Sequence, residues 1–297
     1  MAPRRPEWLG ARVNSATSGT TAALLDHIDR YLDGLPRRDG RAEDFGPLTL
    51  FVRGSAGPAL HAQPTRGWSE RGGRRVTTAD VEAVLARQRA LGVAPSFEWV
   101  DSSAPALRTA AEDAGLKVTE RPLLVLPAVA PTPTAFAGNV PEDVSVRTLT
   151  ADDSHLPSAV AAPHLAFAEI GTHVGEAGTA ELAERVGTLT AEITRTADRV
   201  RAGRTTLVAA VRNGAALSSG LFPGIVEGVT EVCAVGTLPA ARRQGLALAV
   251  TAALVVRARE SGAHTVFLGA TDATVARIYA KLGFRHIGTY LEAEPPE

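Results

Sequence analysis

A single cysteine, Cys233, stands in 297 residues, so no internal disulfide can form and a reducing, cytoplasmic compartment is the natural expectation. Lysine is almost as scarce: Lys117 and Lys281 are the only two, and arginine supplies the remaining cations. With the abundance of alanine, glycine and proline, that usage points to a GC-rich bacterial genome. No apolar run approaches the roughly 18 residues of a membrane-spanning helix. No apolar stretch follows Arg4 and Arg5 either, so neither a span nor a signal peptide is expected. A formal net charge of −1 gives the molecule as a whole no electrostatic reason to seek nucleic acid or a membrane. The basic stretch 66–75 contains Trp68, but it also carries Glu70 and reads as a solvated loop rather than a stacking platform.

What is present is an alternation of helix and strand patterns along a chain long enough for two ordinary domains. Leu24, Leu25, Ile28 and Leu32 form one stripe and predict a helix over 15–35. The runs 48–53, 59–63, 96–100 and 118–126 read as strands, the last with Pro122 arguing for an edge or a bulge. Thr77 can cap a helix that ends at Leu91 before Gly92, and a second helix spans 104–114 before Gly115. Four prolines over 127–141 make a semi-rigid connector. Domains are therefore expected at 1–127 and 143–297, with a linker at 128–142.

The second half predicts a strand at 144–149, helices at 155–169 and 179–202, and a hairpin of 205–212 with 215–222 around Asn213-Gly214. A strand over 229–237, a helix over 246–261, a strand over 265–270, a helix over 273–282 and a strand over 285–291 follow. The halves share an order: a helix, a short strand, then a helix closed by Gly115 or Gly283. Counting back from those glycines, Ala111 stands where Tyr279 does.

Between strand 229–237 and the next helix lies Arg242-Arg243-Gln244-Gly245-Leu246-Ala247. A strand, a tight basic loop and a helix N-terminus make an anion site, because free backbone N–H groups converge where the helix dipole also favours negative charge. Two arginines add charge, and Gly245 removes a Cβ where a phosphate must approach. The spacing fits neither a P-loop nor a dinucleotide-binding turn.

Arg242-x-x-Gly245-x-Ala247 resembles the pyrophosphate loop of the GNAT superfamily of acyl-CoA N-acyltransferases, whose pattern is Arg/Gln-x-x-Gly-x-Gly/Ala. The run from Asp272 through Tyr279 to Gly283-Phe284 resembles the last helix of the same family. The resemblance covers 143–297. It implies an α/β fold of mixed sheets flanked by helices, in two tandem GNAT-like domains of which the first is degenerate. It also implies acetyl-CoA as the acyl donor, paired along the strand edge of Val235, Gly236 and Thr237. Its pyrophosphate would be held by Arg242, Arg243, Gln244, Gly245, Leu246 and Ala247. Asp272 and Arg277 are further contacts, although Asp272 replaces the family's asparagine and Arg277 reads equally as a solvated helix residue. Tyr279 takes the general-acid position, with a phenol proton to give to a departing thiolate.

Glu231 is the candidate base, while His164, Glu169, His173 and Glu176 line the acceptor segment and water is a further route, so the base stays open. Cys233 is expected to alternate into the sheet core with Val235, without the partners of a nucleophile. The implied reaction is direct attack of a primary amine, that of a small molecule, on the thioester, with no metal. A protein or peptide acceptor and a non-catalytic CoA-binding regulator are the alternatives, and a homodimer is compatible with each.

Overall fold

The computed structural model describes residues 15–54, 60–133 and 140–296. The first half opens with helix α1 (Ser15–Asp39), followed by β1 (Gly40–Asp44), β2 (Leu48–Arg53) and β3 (Gln63–Pro64), which form a small antiparallel sheet. Then come α2 (Thr78–Ala90), β4 (Phe97–Val100), α3 (Pro105–Asp113) and β5 (Lys117–Leu126). The second half runs β6 (Ser145–Leu149), α4 (Leu156–Ala168), α5 (Thr179–Thr188), α6 (Thr190–Arg201), β7 (Thr205–Arg212) and β8 (Ala215–Pro223). It finishes with β9 (Val229–Glu231), β10 (Cys233–Thr237), α7 (Leu246–Glu260), β11 (Thr265–Gly269), α8 (Ala273–Ala280) and β12 (Arg285–Glu294). Among the described residues no helix is long and apolar enough to cross a membrane.

Local chemistry explains most of these elements. The β7–β8 hairpin turns on Asn213 and Gly214 at φ 49° and 78°, the left-handed pair that matches the twist of the flanking strands. Thr77 opens α2 through a capping box with Asp80, and Gly92 closes it at φ 66°. The apolar stripe of α1 buries Ile28 and Leu32 together with Tyr31, whose ring meets Phe267 edge-on at 5.2 Å.

The structure departs from the sequence reading at several points. β1 was not expected, since Gly-Arg-Ala-Glu-Asp offers no apolar face; it forms by pairing with β2. Of the strand expected at 59–63, residue 59 lies outside the described residues and only Gln63 joins a strand, β3. The helix expected over 179–202 breaks at Leu189. The strand expected over 229–237 is two strands in two different sheets.

Four strands of the second half form the antiparallel sheet β10-β8-β7-β6. The larger sheet, in the order β4-β12-β5-β11-β9, draws on both halves. β12 lies between β4 and β5, and β5 lies between β12 and β11. Each half thus fills the sheet of the other. The division expected at 127 and 143 falls between β5 and β6, and strands from both sides of it share this one sheet; 134–139 of the connector lie outside the described residues. Pro122 is accordingly in a central strand, and the irregularity it called for lies in its neighbour, where β12 shifts register between His286 and Gly288. One face of this sheet joins α7 and α8 in the main core, while the other packs against α1 through Val100, Leu123, Val125, Val229 and Phe267.

Candidate active site

The two sheets part company inside the 229–237 segment. β9 runs parallel to β11, with Val229 to Glu231 opposite Thr265 to Phe267, and Val232 N–H adds a bond to the Phe267 carbonyl at 2.8 Å. Ala234 then turns to φ 52°, register shifts between Cys233 and Gly236, and β10 continues with β8 instead. Gly236 is required there: a Cβ would stand 2.6 Å from Pro163 Cα and 3.0 Å from Ala166 Cβ, so only glycine lets α4 lie against the strand. The outcome is a wedge between β10 and β11. β10 is an edge strand along Val235, Gly236 and Thr237, free on the side away from β8 to pair with an extended chain.

The bulge also overturns the expected place of Cys233. Val232 and partly buried Val235 pack into the core on the α7–α8 side, while Cys233 faces the other way, paired with Leu221 and on the same face as Glu231. Burial pushes its thiol well above the usual range, helped by Glu231 and Glu98, which leaves it protonated and a poor nucleophile.

Beyond β10 the chain makes a 3-10 turn at Pro239–Ala241 and then places Arg243 at φ 67° and Gly245 at φ 77°. This is the kind of backbone that forms anion-binding nests. The N–H groups of Arg243, Gln244 and Gly245 donate to no backbone carbonyl among the described residues, and no side chain caps α7. The first-turn amides of α7 at Leu246 and Ala247 are free for the same reason that every helix start leaves them free. Arg243 is exposed, with no partner among the described residues. The cradle thus has the donors that a diphosphate needs.

Arg242 plays a different part from the phosphate-facing cation expected of it. Its side chain is 8 % exposed and donates to the carbonyls of Ala166 (2.9 Å), Glu169 (2.6 Å) and His173 (3.2 Å), with the Glu169 carboxylate at 3.6 Å. It closes the carbonyl end of α4. Backbone bonds from Gly175 to Pro239 and from Ala240 to Ala177, both 3.0 Å, complete the stitching of loop 169–178 to the basic loop. The Gln244 side chain accepts from Arg212 at 3.3 Å. Asp272 spends Oδ1 on the Thr274 and Val275 amides as the N-cap of α8, which is what a carboxylate in place of an asparagine does well. Arg277 is exposed and donates to Thr274 Oγ1 at 3.2 Å.

Tyr279 and Glu231 stand on opposite faces of the parted sheets. Tyr279, 8 % exposed, belongs to the α7–α8 core and meets Phe284 edge-on. Burial pushes its phenol to about 12, against a smaller opposing pull from Thr251. Glu231 is half-buried on the α1 side, and desolvation, then Glu98 and Glu292, raise its carboxyl to about 8 while Arg121 opposes. Between α4, α6 and β8 lies a cavity of about 240 Å³ lined by Pro163, His164, Phe167, Glu192 and Ala234. His164 Nε2 lies 3.1 Å from Glu192, so the expected acceptor-segment histidine does line a cavity. His173 contributes its carbonyl to Arg242, and Glu176 is exposed in the stitched loop. The groups that sequence reasoning missed are Glu98, Arg121 and Glu292, whose proximity to Glu231 follows only from the strand exchange.

The first half has its own counterpart of the basic loop, and it is filled from within. A cavity of about 430 Å³ opens between Thr65, Trp68, Arg74, Arg75, Ser103 and Pro105. At the start of α2, however, the Asp80 carboxylate already accepts from the Thr77 amide (2.9 Å) and from Arg74 (2.5 and 2.6 Å). The Arg74 hydrogen bond leads in holding that carboxyl down at about 2. Ala111, in the place of Tyr279, is fully buried.

Residues 224–292 match the FR47-like protein family. No curated protein sequence matches the chain. Among solved structures the chain is similar to a GCN5-related N-acetyltransferase from Kribbella flavida, with TM-score 0.59, 22% identity, and 91% of this chain and 94% of that one covered. It is also similar to a GCN5-related N-acetyltransferase-like protein from Streptococcus suis, with TM-score 0.54, 12% identity, and 92% and 99% covered. The chain therefore carries the GCN5-related N-acetyltransferase fold over nearly its whole length, with an FR47-like segment in its second half.

Proposed function

We propose that the protein transfers an acetyl group from acetyl-CoA to the primary amine of a small molecule by direct attack on the thioester. The observation that carries this is the wedge: a free strand edge leading into a loop of unpaired amides, with a tyrosine on one face and a carboxyl on the other. Acetyl-CoA supplies the activated acyl group. The edge of Val235 to Thr237 holds its extended arm, and the amides from Arg243 to Ala247 with the Arg243 side chain hold its diphosphate. The cavity beside Ala234 is of a size for a small amine rather than for an extended peptide.

Glu231 takes the proton that the amine must lose, directly or through a water. The amine lone pair then forms the C–N bond as the C–S bond breaks, and Tyr279 donates a hydrogen bond to the sulfur as its charge grows. Calorimetric titration with desulfo-CoA tests the first half of this reading, with tight, salt-sensitive binding expected. Silence even at high ligand concentration removes it. Thiol release from acetyl-CoA with a panel of amines tests the second; binding without release with any amine would make the chain a CoA-binding regulator instead.

The pH profile gives an independent check. Since the base acts only when ionised and its pKa is pushed to about 8, kcat/KM rises with pH up to that point and levels off above it. No fall follows at higher pH until Tyr279 begins to ionise near 12. Glu231→Gln removes the break near 8; a break that survives the substitution belongs to the acceptor amine or to another base.

A further inference from the structure

We infer that His164, aligned by Glu192, is a second proton acceptor in the reaction and takes the hydrogen that the nitrogen sheds after the C–N bond has formed. The inference rests on the acyl-transfer reading and adds a residue to the same site. Stoichiometry calls for such a group. A primary amine arrives at neutral pH as an ammonium ion and leaves as an amide nitrogen with one hydrogen, so it gives up two protons. Glu231 takes the first. Once the bond to carbon is made the nitrogen is cationic again, and until its second proton goes it can depart as the thiolate can. Nδ1 of His164 takes that proton, the N–H electron pair returns to nitrogen, and the amide is complete. Of the two protons released, one ends on the CoA sulfur and the other in solvent.

The acceptor cavity holds a pair suited to that step. Among the described residues lining it, only His164 and Glu192 are ionisable. His164 Nε2 lies 3.1 Å from Glu192 Oε1. A carboxylate can only accept, so Nε2 carries the hydrogen of that bond, and Nδ1 of the neutral ring keeps its lone pair. Nδ1 has no partner among the described residues. Glu192 pairs with no arginine or lysine among them, so its charge is free to stabilise the imidazolium that forms. Side-chain exposures of 38 % and 40 % put both groups in reach of water, to which the captured proton returns.

A second observation, independent of the pair, fixes where His164 stands. Ala159, Val160, Pro163, His164 and Phe167 are the face of α4 that lines the cavity. Pro163 has no N–H, so the Ala159 carbonyl loses its helical donor. The Ser219 hydroxyl, on a fully buried residue of β8, donates to that carbonyl at 2.6 Å, and the Ser158 hydroxyl accepts from the Ala216 amide at 3.0 Å. α4 is thereby pinned to β8 at its irregular turn. At that same turn Pro163 lies so close to Gly236 that no Cβ fits between them. His164 is the next residue, about 3.8 Å further along the chain. Ala234, the residue at the bulge, lines the same cavity. The imidazole therefore leaves its helix beside the strand edge assigned to the thioester arm.

The test measures thiol release from acetyl-CoA with butylamine and with benzylamine on the full chain. His164→Ala lowers kcat about tenfold to thirtyfold, less than the loss of a sole base because water competes, and leaves KM for acetyl-CoA unchanged. Free imidazole restores most of that rate, since the space the ring vacates opens to solvent. His164→Gln fills the space with a side chain that cannot take the proton; it is as slow and is not rescued. Glu192→Gln keeps a hydrogen-bond acceptor without the charge and lowers kcat about fivefold, with KM for the amine held. A His164→Ala protein with wild-type kcat, a loss confined to KM, or a loss that imidazole leaves untouched overturns the inference. A wild-type protein that releases no thiol with these or any other amine of the panel overturns the acyl-transfer reading instead.

Discussion

Tyr279→Phe lowers kcat by about a hundredfold or more while leaving the affinity for acetyl-CoA and the melting temperature near those of the wild type, the loss expected when one donor to a developing anion is removed. The phenol is already inside the α7–α8 core, so phenylalanine fills the same volume and forfeits only the hydroxyl. The nature of the help it gives is constrained by its environment. At about 12, Tyr279 is a weaker acid than a free thiol near 8.5, so complete proton transfer in a water-like setting would be uphill. A thiolate forming in the same dry gap is penalised too, which narrows the difference. A hydrogen bond that strengthens as the sulfur gains charge therefore accounts for the effect without requiring a finished transfer. Stopped-flow measurement of thiol appearance reads the step directly. Full turnover in the phenylalanine variant would remove Tyr279 from the chemistry, and an acyl adduct on Cys233 would replace direct attack.

Arg242→Ala and Arg243→Ala have opposite signatures. Removing Arg242 strips the donor from the Ala166 carbonyl at the end of α4 and from those of Glu169 and His173 just beyond it, at a cost of about 2–4 kcal/mol and a melting temperature lower by about 10 °C. Loop 169–178, carrying the exposed Ile170 and Val174, loses its tie to the basic loop, so amine KM rises along with the loss of stability. Arg243→Ala leaves the melting temperature alone, since that side chain is exposed and unpaired among the described residues, and weakens CoA binding about fivefold to tenfold. Differential scanning calorimetry with and without desulfo-CoA separates the two. An Arg242 variant that melts normally but binds CoA poorly would return that residue to the diphosphate.

The pair shows where sequence reading reaches and where it stops. A loop of two arginines, a glycine and a helix start is legible, because backbone donors and a strand–loop–helix order are local facts. Which arginine faces outward is not, because it depends on α4 arriving from some seventy residues earlier with its carbonyls bare. Asn213-Gly214, Thr77 and the stripe of α1 were readable for the same local reason. β1 was not, having only its partner to define it. The continuous apolar pattern from Val229 to Thr237 concealed a change of sheet, since both segments alternate alike until Ala234 breaks the period. Glu98 and Arg121 carried no signal at all: they reach Glu231 only because strands from the two halves interleave.

That interleaving also governs how the polypeptide comes together during synthesis. β4 and β5 emerge from the ribosome with a vacant slot between them, which nothing made by that point can occupy. They must wait for Arg285–Glu294 to appear, well over a hundred residues later, before their backbone groups are satisfied. Pairings of such long sequence separation are slow to form, so the nascent first half is expected to lean on chaperones and to resist expression by itself.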